Sequence, residues 1–130
     1  MQREKLLLSL LLMIMAVFSG GCLAAVVAAG AGAAGTVAYV QGDFEALEES
    51  DVKQCYDAAI EAFKDLNLPV FNREMDALSA RIEGRNAQDK KVTVTIKAQQ
   101  NYLTKISIRI GTFGNQAQSR MIYDKIKEYL

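Results

Sequence analysis

"KVTVTIKAQQNYLTKISIRI", residues 91–110, decides the fold. Val92, Val94, Ile96 and Ala98 alternate with Thr93, Thr95 and Lys97, and Ile106, Ile108 and Ile110 alternate with Ser107 and Arg109. A period of two belongs to a strand, whose side chains point to opposite faces in turn. Gln99-Gln100-Asn101 is a short polar turn between the two runs. The segment therefore reads as an antiparallel hairpin with one dry face and one wet face.

The same pattern extends on either side. Leu78, Ala80, Ile82 and Gly84 form an inward set, with Ser79, Arg81, Glu83 and Arg85 outward, before a polar turn at Asn86–Asp89. A strand over Val70–Glu74 precedes it, opened by Pro69 and closed by a bend near Met75-Asp76. Further back, Val52, Cys55, Tyr56, Ala59, Ile60, Phe63 and Leu66 recur at three-to-four spacing, the stripe of a helix ending near Asn67. Ser50 is placed to cap it, with Asp51 in the first turn. "TVAYVQGDFEALEES", residues 36–50, reads as one strand, with Ala38, Val40, Phe44 and Ala46 on one side and Tyr39, Gln41, Asp43 and Glu45 on the other. After Gly114, Asn115 begins a second helix as its cap, Gln118 completes an N-x-x-Q capping pattern, and Met121, Ile122, Ile126 and Tyr129 form the stripe. The order is β-α-β-β-β-β-α. Two striped helices and a one-sided, mainly antiparallel sheet predict an α+β two-layer sandwich with both helices on one face.

Composition removes several functions. Lys plus Arg and Asp plus Glu are 15 each, so the neutral chain lacks the basic excess that nucleic acid demands. No His is present, which excludes a His metal ligand, a His general base and a His pH switch. Cys22 and Cys55 have neither metal-site nor disulfide-framework spacing.

The first forty residues differ from the rest. Arg3 and Lys5 precede the run Leu6–Phe18, apolar except for Ser9, then the small residues Ser19, Gly20 and Gly21, then Cys22. This resembles a bacterial lipoprotein signal peptide over residues 1–21, with Ser19-Gly20-Gly21-Cys22 as the lipobox, Ser19 standing where leucine is usual. The resemblance implies cleavage before Cys22 and a diacylglyceryl thioether with further acylation on that residue. Two or three acyl chains make attachment lasting where one is marginal. Leu23 at the next position implies, by the same resemblance, the outer membrane facing the periplasm. The alternatives are an uncleaved membrane helix over Leu6–Ala29 and a cleaved soluble product. Against the helix, Gly20-Gly21 falls mid-span and no basic cluster follows before Asp43. Residues 22–36 would form a Gly/Ala-rich tether of about 20 Å as a coil, or a segment that inserts or self-associates through its small residues. The domain is placed at residues 37–130.

"TVAYVQGDFEA", "KDLNLPV", "DALSARIEGR", "KKVTVTIK" and "ISIRIGTFGNQAQSRMIYDKI" together resemble a family of small bacterial lipoproteins described only as a domain of unknown function. The likeness spans nearly the whole mature chain, and R-I-G-T-F-G-N followed by S-R is its most distinctive part. It implies an envelope location and a small α+β domain, and supplies no catalytic residue and no cofactor.

Four constellations could carry function. Gly111 and Gly114 flank a turn into a helix start, with Arg109 and Arg120 nearby, which reads as a structural turn with Phe113 plugging the core edge, or as an anion site. Arg81, Arg85, Lys97, Lys105 and Arg109 share the outward sheet face with Thr93, Thr95 and Ser107. That face is a solvated surface paired with Asp43 and Glu45, or a contact for anionic lipid headgroups or an envelope polymer. Cys55 sits on an apolar stripe as a small hydrophobe. Asp57, Glu61 and Asp65 line the far side of the first body helix, where a wet face is the ordinary reading and cation binding the sharper one. An enzyme without His would need a carboxylate pair in a cleft. The expectation is a membrane-attached structural or interaction module meeting an envelope protein or anionic lipid, with no metal, cofactor or nucleic acid.

Overall fold

The computed structural model describes residues 1–12 and 36–130. They fall in two separate units, one holding an exposed helix over 2–12 (α1) and the other everything from Thr36 onward. Among the described residues no helix is long and apolar enough to cross a membrane.

The larger unit runs β1 (Val37–Val40), β2 (Asp43–Glu48), α2 (Val52–Asp65), β3 (Val70–Met75), β4 (Ser79–Arg85), β5 (Lys91–Ala98), β6 (Thr104–Ile110) and α3 (Gln116–Lys127). The six strands form one antiparallel sheet in the order β1-β2-β6-β5-β4-β3. The predicted hairpin is its centre: Val94 pairs with Ile108 and Ile96 with Ile106, and all four are fully buried. α2 covers β4, β5 and β6, α3 covers β6 and β2, and the helices touch each other over one shared core. The α+β two-layer sandwich is therefore as the periodicity predicts, with both helices on one face.

Four local readings are corrected. Residues 36–50 do not form one strand but the hairpin β1–β2. Gln41 and Gly42 take φ of 52° and 91°, the pair of positive angles that a two-residue type I′ turn requires. Val40 pairs with Asp43 across that turn, so the parity flips and Ala38 and Val40 lie opposite to Phe44 and Ala46. α2 is capped by Asp51 rather than Ser50. The Asp51 carboxylate accepts the Gln54 N–H at 2.7 Å while the Gln54 side chain accepts the Asp51 N–H at 3.2 Å, a reciprocal box that Ser50 lies one residue too early to close. Leu78 is exposed, because Asp76 Oδ1 accepts the N–H groups of both Leu78 and Ser79 at 2.9 Å and so starts β4 one residue later. Ala98, predicted inward, is exposed as the last residue of β5, although its backbone is paired there.

In α3, Asn115 accepts the Gln118 N–H as expected at 3.0 Å. The Gln118 side-chain oxygen accepts instead from Asn86 Nδ2 at 3.3 Å, tying the helix start to the β4–β5 turn. The buried stripe is Ser119, Ile122, Tyr123 and Ile126; Met121 and Tyr129 are about half exposed. Tyr123 holds the place given to Met121 because positions i, i+3, i+4 and i+7 share one helix face.

Candidate functional site

The face of the sheet that no described element covers carries the side chains that sequence places outward. Cross-strand rows run Glu83–Thr93–Arg109, Arg81–Thr95–Ser107–Glu45 and Ser79–Lys97–Lys105. The structure thus brings together Arg81, Lys97, Lys105 and Arg109 on one surface, with Arg85 at its edge opposite Lys91.

These cations are largely neutralised. Glu83 is the hub: its carboxylate accepts from Arg81 Nη2 at 2.9 Å and Asn72 Nδ2 at 3.0 Å, with Lys91 Nζ at 3.3 Å. Although it sits on the open face, Glu83 is buried beneath these partners. The Asn72 amide and the Arg81 guanidinium hold its carboxyl down to about 2. Arg109 pairs with Asp43 at 3.0 Å, Arg85 with Asp89 at 3.3 Å and Lys105 with Glu45 at 3.7 Å. The Arg85 guanidinium also lies 5.4 Å over the Phe71 ring. Lys97 has no ion pair among the described residues.

Toward one end the face deepens into an open recess of about 870 Å³. Its floor is Thr93, Thr95 and Ser107, and its rim includes Arg81, Lys90 and Phe113. Such a surface offers hydroxyls that donate or accept and cations already matched to carboxylates. It can recognise a polar partner, and an anion entering it must compete with Glu83 and Asp43.

Residues 5–129 match the DUF3568 family, described as a protein of unknown function. The chain belongs to the DUF3568 family. No curated protein matches it.

The stretch R-I-G-T-F-G-N of this DUF3568 chain is a staple between two turns. Arg109 donates to the Gln41 carbonyl at 3.1 Å, to Asp43 and to the Thr112 carbonyl, locking the β1–β2 turn to the loop before α3. Gly114 has φ of 80°, and a Cβ there would stand 2.1 Å from the Gly42 carbonyl oxygen, so only glycine permits the approach. Phe113 does not plug the core. It is 90% exposed, because the backbone of its loop turns inward to these contacts and the ring is left outside.

Sequence reasoning missed a polar tie inside the DUF3568 core. Glu48, at the inward end of β2, accepts a hydrogen bond from the Tyr123 hydroxyl of α3, and the Tyr123 ring packs 5.2 Å from Phe44. Burial, with the Glu48 carboxylate beside it, pushes the phenol well above its usual range. The only available signal was that Glu48 continues the inward parity of Phe44 and Ala46. Cys55 is buried as expected, and burial beside Glu48 pushes its thiol up to about 12, so it is not a poised nucleophile. Glu48 and Glu83, the two buried carboxyls among the described residues, lie on opposite faces of the sheet and do not converge. Asp57 and Glu61 are engaged by Lys53 and Lys64, Asp65 by the Tyr129 hydroxyl, and no metal-holding group is found among the described residues. Ser19, Gly20, Gly21 and Cys22, expected from sequence as cleavage and lipid-attachment residues, lie outside the described residues, as does the expected tether except for Thr36.

Proposed function

We propose that this chain is a lipid-anchored protein of the bacterial cell envelope whose α+β domain is an interaction module. The open sheet face is its contact surface for another envelope component. The observation that carries the interaction reading is the asymmetry of the sheet: two helices cover one face over β2, β4, β5 and β6, and among the described residues the other is polar, uncovered and recessed above Thr93, Thr95 and Ser107. The leader, with its small residues before Cys22, supports the anchor. Attachment through Cys22 would leave the open sheet face outside the bilayer and free to bind. Mass spectrometry of the native protein tests the anchor, with an acylated Cys22 as new N-terminus expected and Cys22→Ser as control; an intact Met1 with an unmodified thiol overturns it. Capture of partners from crosslinked envelopes, compared between wild type and a Thr95→Arg, Ser107→Arg variant, tests the face; equal capture by both overturns that part.

A second reading is binding of an anionic headgroup or envelope polymer by the same face. Lys97 on the sheet and Lys90 on the recess rim, neither with an ion pair among the described residues, favour it. It predicts association with anionic vesicles at low salt that is lost as salt screens the charges. Absence of association at low salt ends it.

A further inference from the structure

The two ends of the sheet are not equivalent, and the chain enters at one of them. The Thr36 carbonyl accepts the Leu47 N–H at 3.1 Å, and Val37 pairs with Ala46, so the polypeptide arrives beside the last residues of β2. Glu48 pairs with Thr104, which places the β5–β6 hairpin tip at this same end. Ala98 at the end of β5 donates to the Leu78 carbonyl, which adds the β3–β4 turn.

That end projects apolar groups. Tyr102 is 99% exposed and Leu78 70%, with Met75 about half exposed beside them. Between the two turns and the start of α2 lies a recess of about 680 Å³, lined by Ala77, Ala98, Tyr102, Leu103 and Val52 among others. Tyr102 is also conformationally costly. Asn101 and Tyr102 have φ of 59° and 60°, and the Leu103 N–H donates to the Gln100 carbonyl at 3.3 Å, closing a two-residue turn. Such a turn favours Asn followed by Gly; a bulky aromatic at positive φ is an outlier. In the β1–β2 turn the corresponding position is Gly42. The turn at the chain's point of arrival thus holds a strained tyrosine with its ring exposed, and no packing among the described residues explains it.

We infer that this end of the domain rests on the bilayer that carries the protein, with Tyr102 and Leu78 seated at the lipid interface. Tyrosine suits that layer, its ring apolar and its hydroxyl wet. The occupant follows from the anchor reading, on which the inference rests. Residues 23–35 separate Cys22 from Thr36, and the coil reach of that length is about 20 Å. The opposite end of the sheet is farther by the length of β5, roughly 26 Å at 3.3 Å per residue. The attraction is apolar. Of the acids nearby, Asp51 accepts the Gln54 N–H and Asp76 the Leu78 and Ser79 N–H groups, while Glu49 at the recess edge is exposed and points to water. Docking therefore persists at high salt and on zwitterionic lipid, unlike binding through the basic face.

The chain has no Trp, so a single introduced indole reports its own surroundings. Tyr102→Trp, Leu78→Trp and Phe113→Trp are each prepared in the full protein and reconstituted in phosphatidylcholine vesicles with brominated acyl chains. The two indoles at the arrival end are expected to shift to the blue and lose most of their emission, at low and high salt alike. Phe113→Trp, at the far end, is expected to keep its emission. Equal emission at all three positions, or quenching at 113 alone, overturns the inference. The mass of Cys22 is measured on the same samples. Quenching at 102 and 78 with an unmodified Cys22 would retain the docking and overturn the anchor; an acylated Cys22 with no quenching would do the reverse.

Discussion

The two faces of the one sheet are built from the same strands and differ in what decides them. Toward the helices, Ile82, Val92, Val94, Ile96, Ile106 and Ile108 have no exposed surface at all. Each gains from leaving water whatever its neighbour is, so the pattern alone specifies the face. Toward solvent, Arg81, Glu83, Lys91, Thr93 and Arg109 gain only through particular partners at particular distances. Burial is generic, whereas pairing is specific, and mutation should separate the two.

The largest effect is expected at the centre of the dry face. Ile108 is fully buried between Phe44 and Val94 in the neighbouring strands. Ile108→Ala should cost about 3–4 kcal/mol in urea unfolding, from lost transfer energy and the cavity left behind. Ser107→Ala, adjacent in sequence but on the open face, should stay within about 0.5 kcal/mol. A Ser107→Ala loss comparable to that of Ile108→Ala would break the distinction between the faces. Next in size is Tyr123→Phe, which removes the hydroxyl donating to Glu48 and leaves a buried carboxylate short of a partner. The expected loss is about 1–3 kcal/mol. Glu48→Gln combined with Tyr123→Phe should be less costly than the sum of the single changes, since no charge is then stranded.

How much of this could be read beforehand follows the same division. Alternation at Val92–Ile96 and Ile106–Ile110 and the helical stripe from Val52 to Phe63 record burial, and all three elements formed where the periods put them. Parity failed where geometry rather than hydrophobicity ruled. Gln41-Gly42 looks like two more residues of a strand until both adopt positive φ. Phe113 looks like core because phenylalanine usually is, but Arg109 draws the loop's carbonyls inward. On the open face the basic residues were legible one by one, and so was the pairing of Asp43 and Glu45 across the sheet. The Glu83 hub was not, because its partner Asn72 comes from β3, whose register is shifted by an irregularity between Val70 and Asn72. The Glu48–Tyr123 tie joins residues far apart in sequence, and no local period records such a contact.

That hub gives the open face its own measurable share of stability. The Glu83 carboxyl is held near 2 in the fold against an ordinary value of 4.5, so its ionised form is favoured by folding. The contribution is complete above about pH 4.5 and is lost as pH falls toward 2. Glu83→Gln should therefore cost about 1–2 kcal/mol at pH 7. This is below the ~3 kcal/mol that the full shift would imply, because Arg81 and Lys91 are each about half exposed and screened by water. The gap between wild type and variant should close between pH 4.5 and 2. A constant gap across that range would mean that Glu83 acts by shape and not by charge.

The smallest effect tests whether the open face is tuned for stability at all. Lys97 stands directly opposite Lys105, and only Lys105 has a carboxylate, Glu45 at 3.7 Å. Like charges placed opposite each other across two strands are unfavourable. Lys97→Ala should therefore leave stability unchanged or raise it by about 0.2–0.5 kcal/mol at low ionic strength. The gain should vanish near 1 M salt, where screening acts within about 3 Å. Lys105→Ala, which breaks a partly exposed pair, should cost about 0.2–1 kcal/mol under the same low-salt conditions. A stabilising Lys97→Ala that also weakens capture of the envelope partner would set the two faces apart most sharply. The dry face would then carry residues chosen for the fold, and the wet face a cation that the fold is better off without.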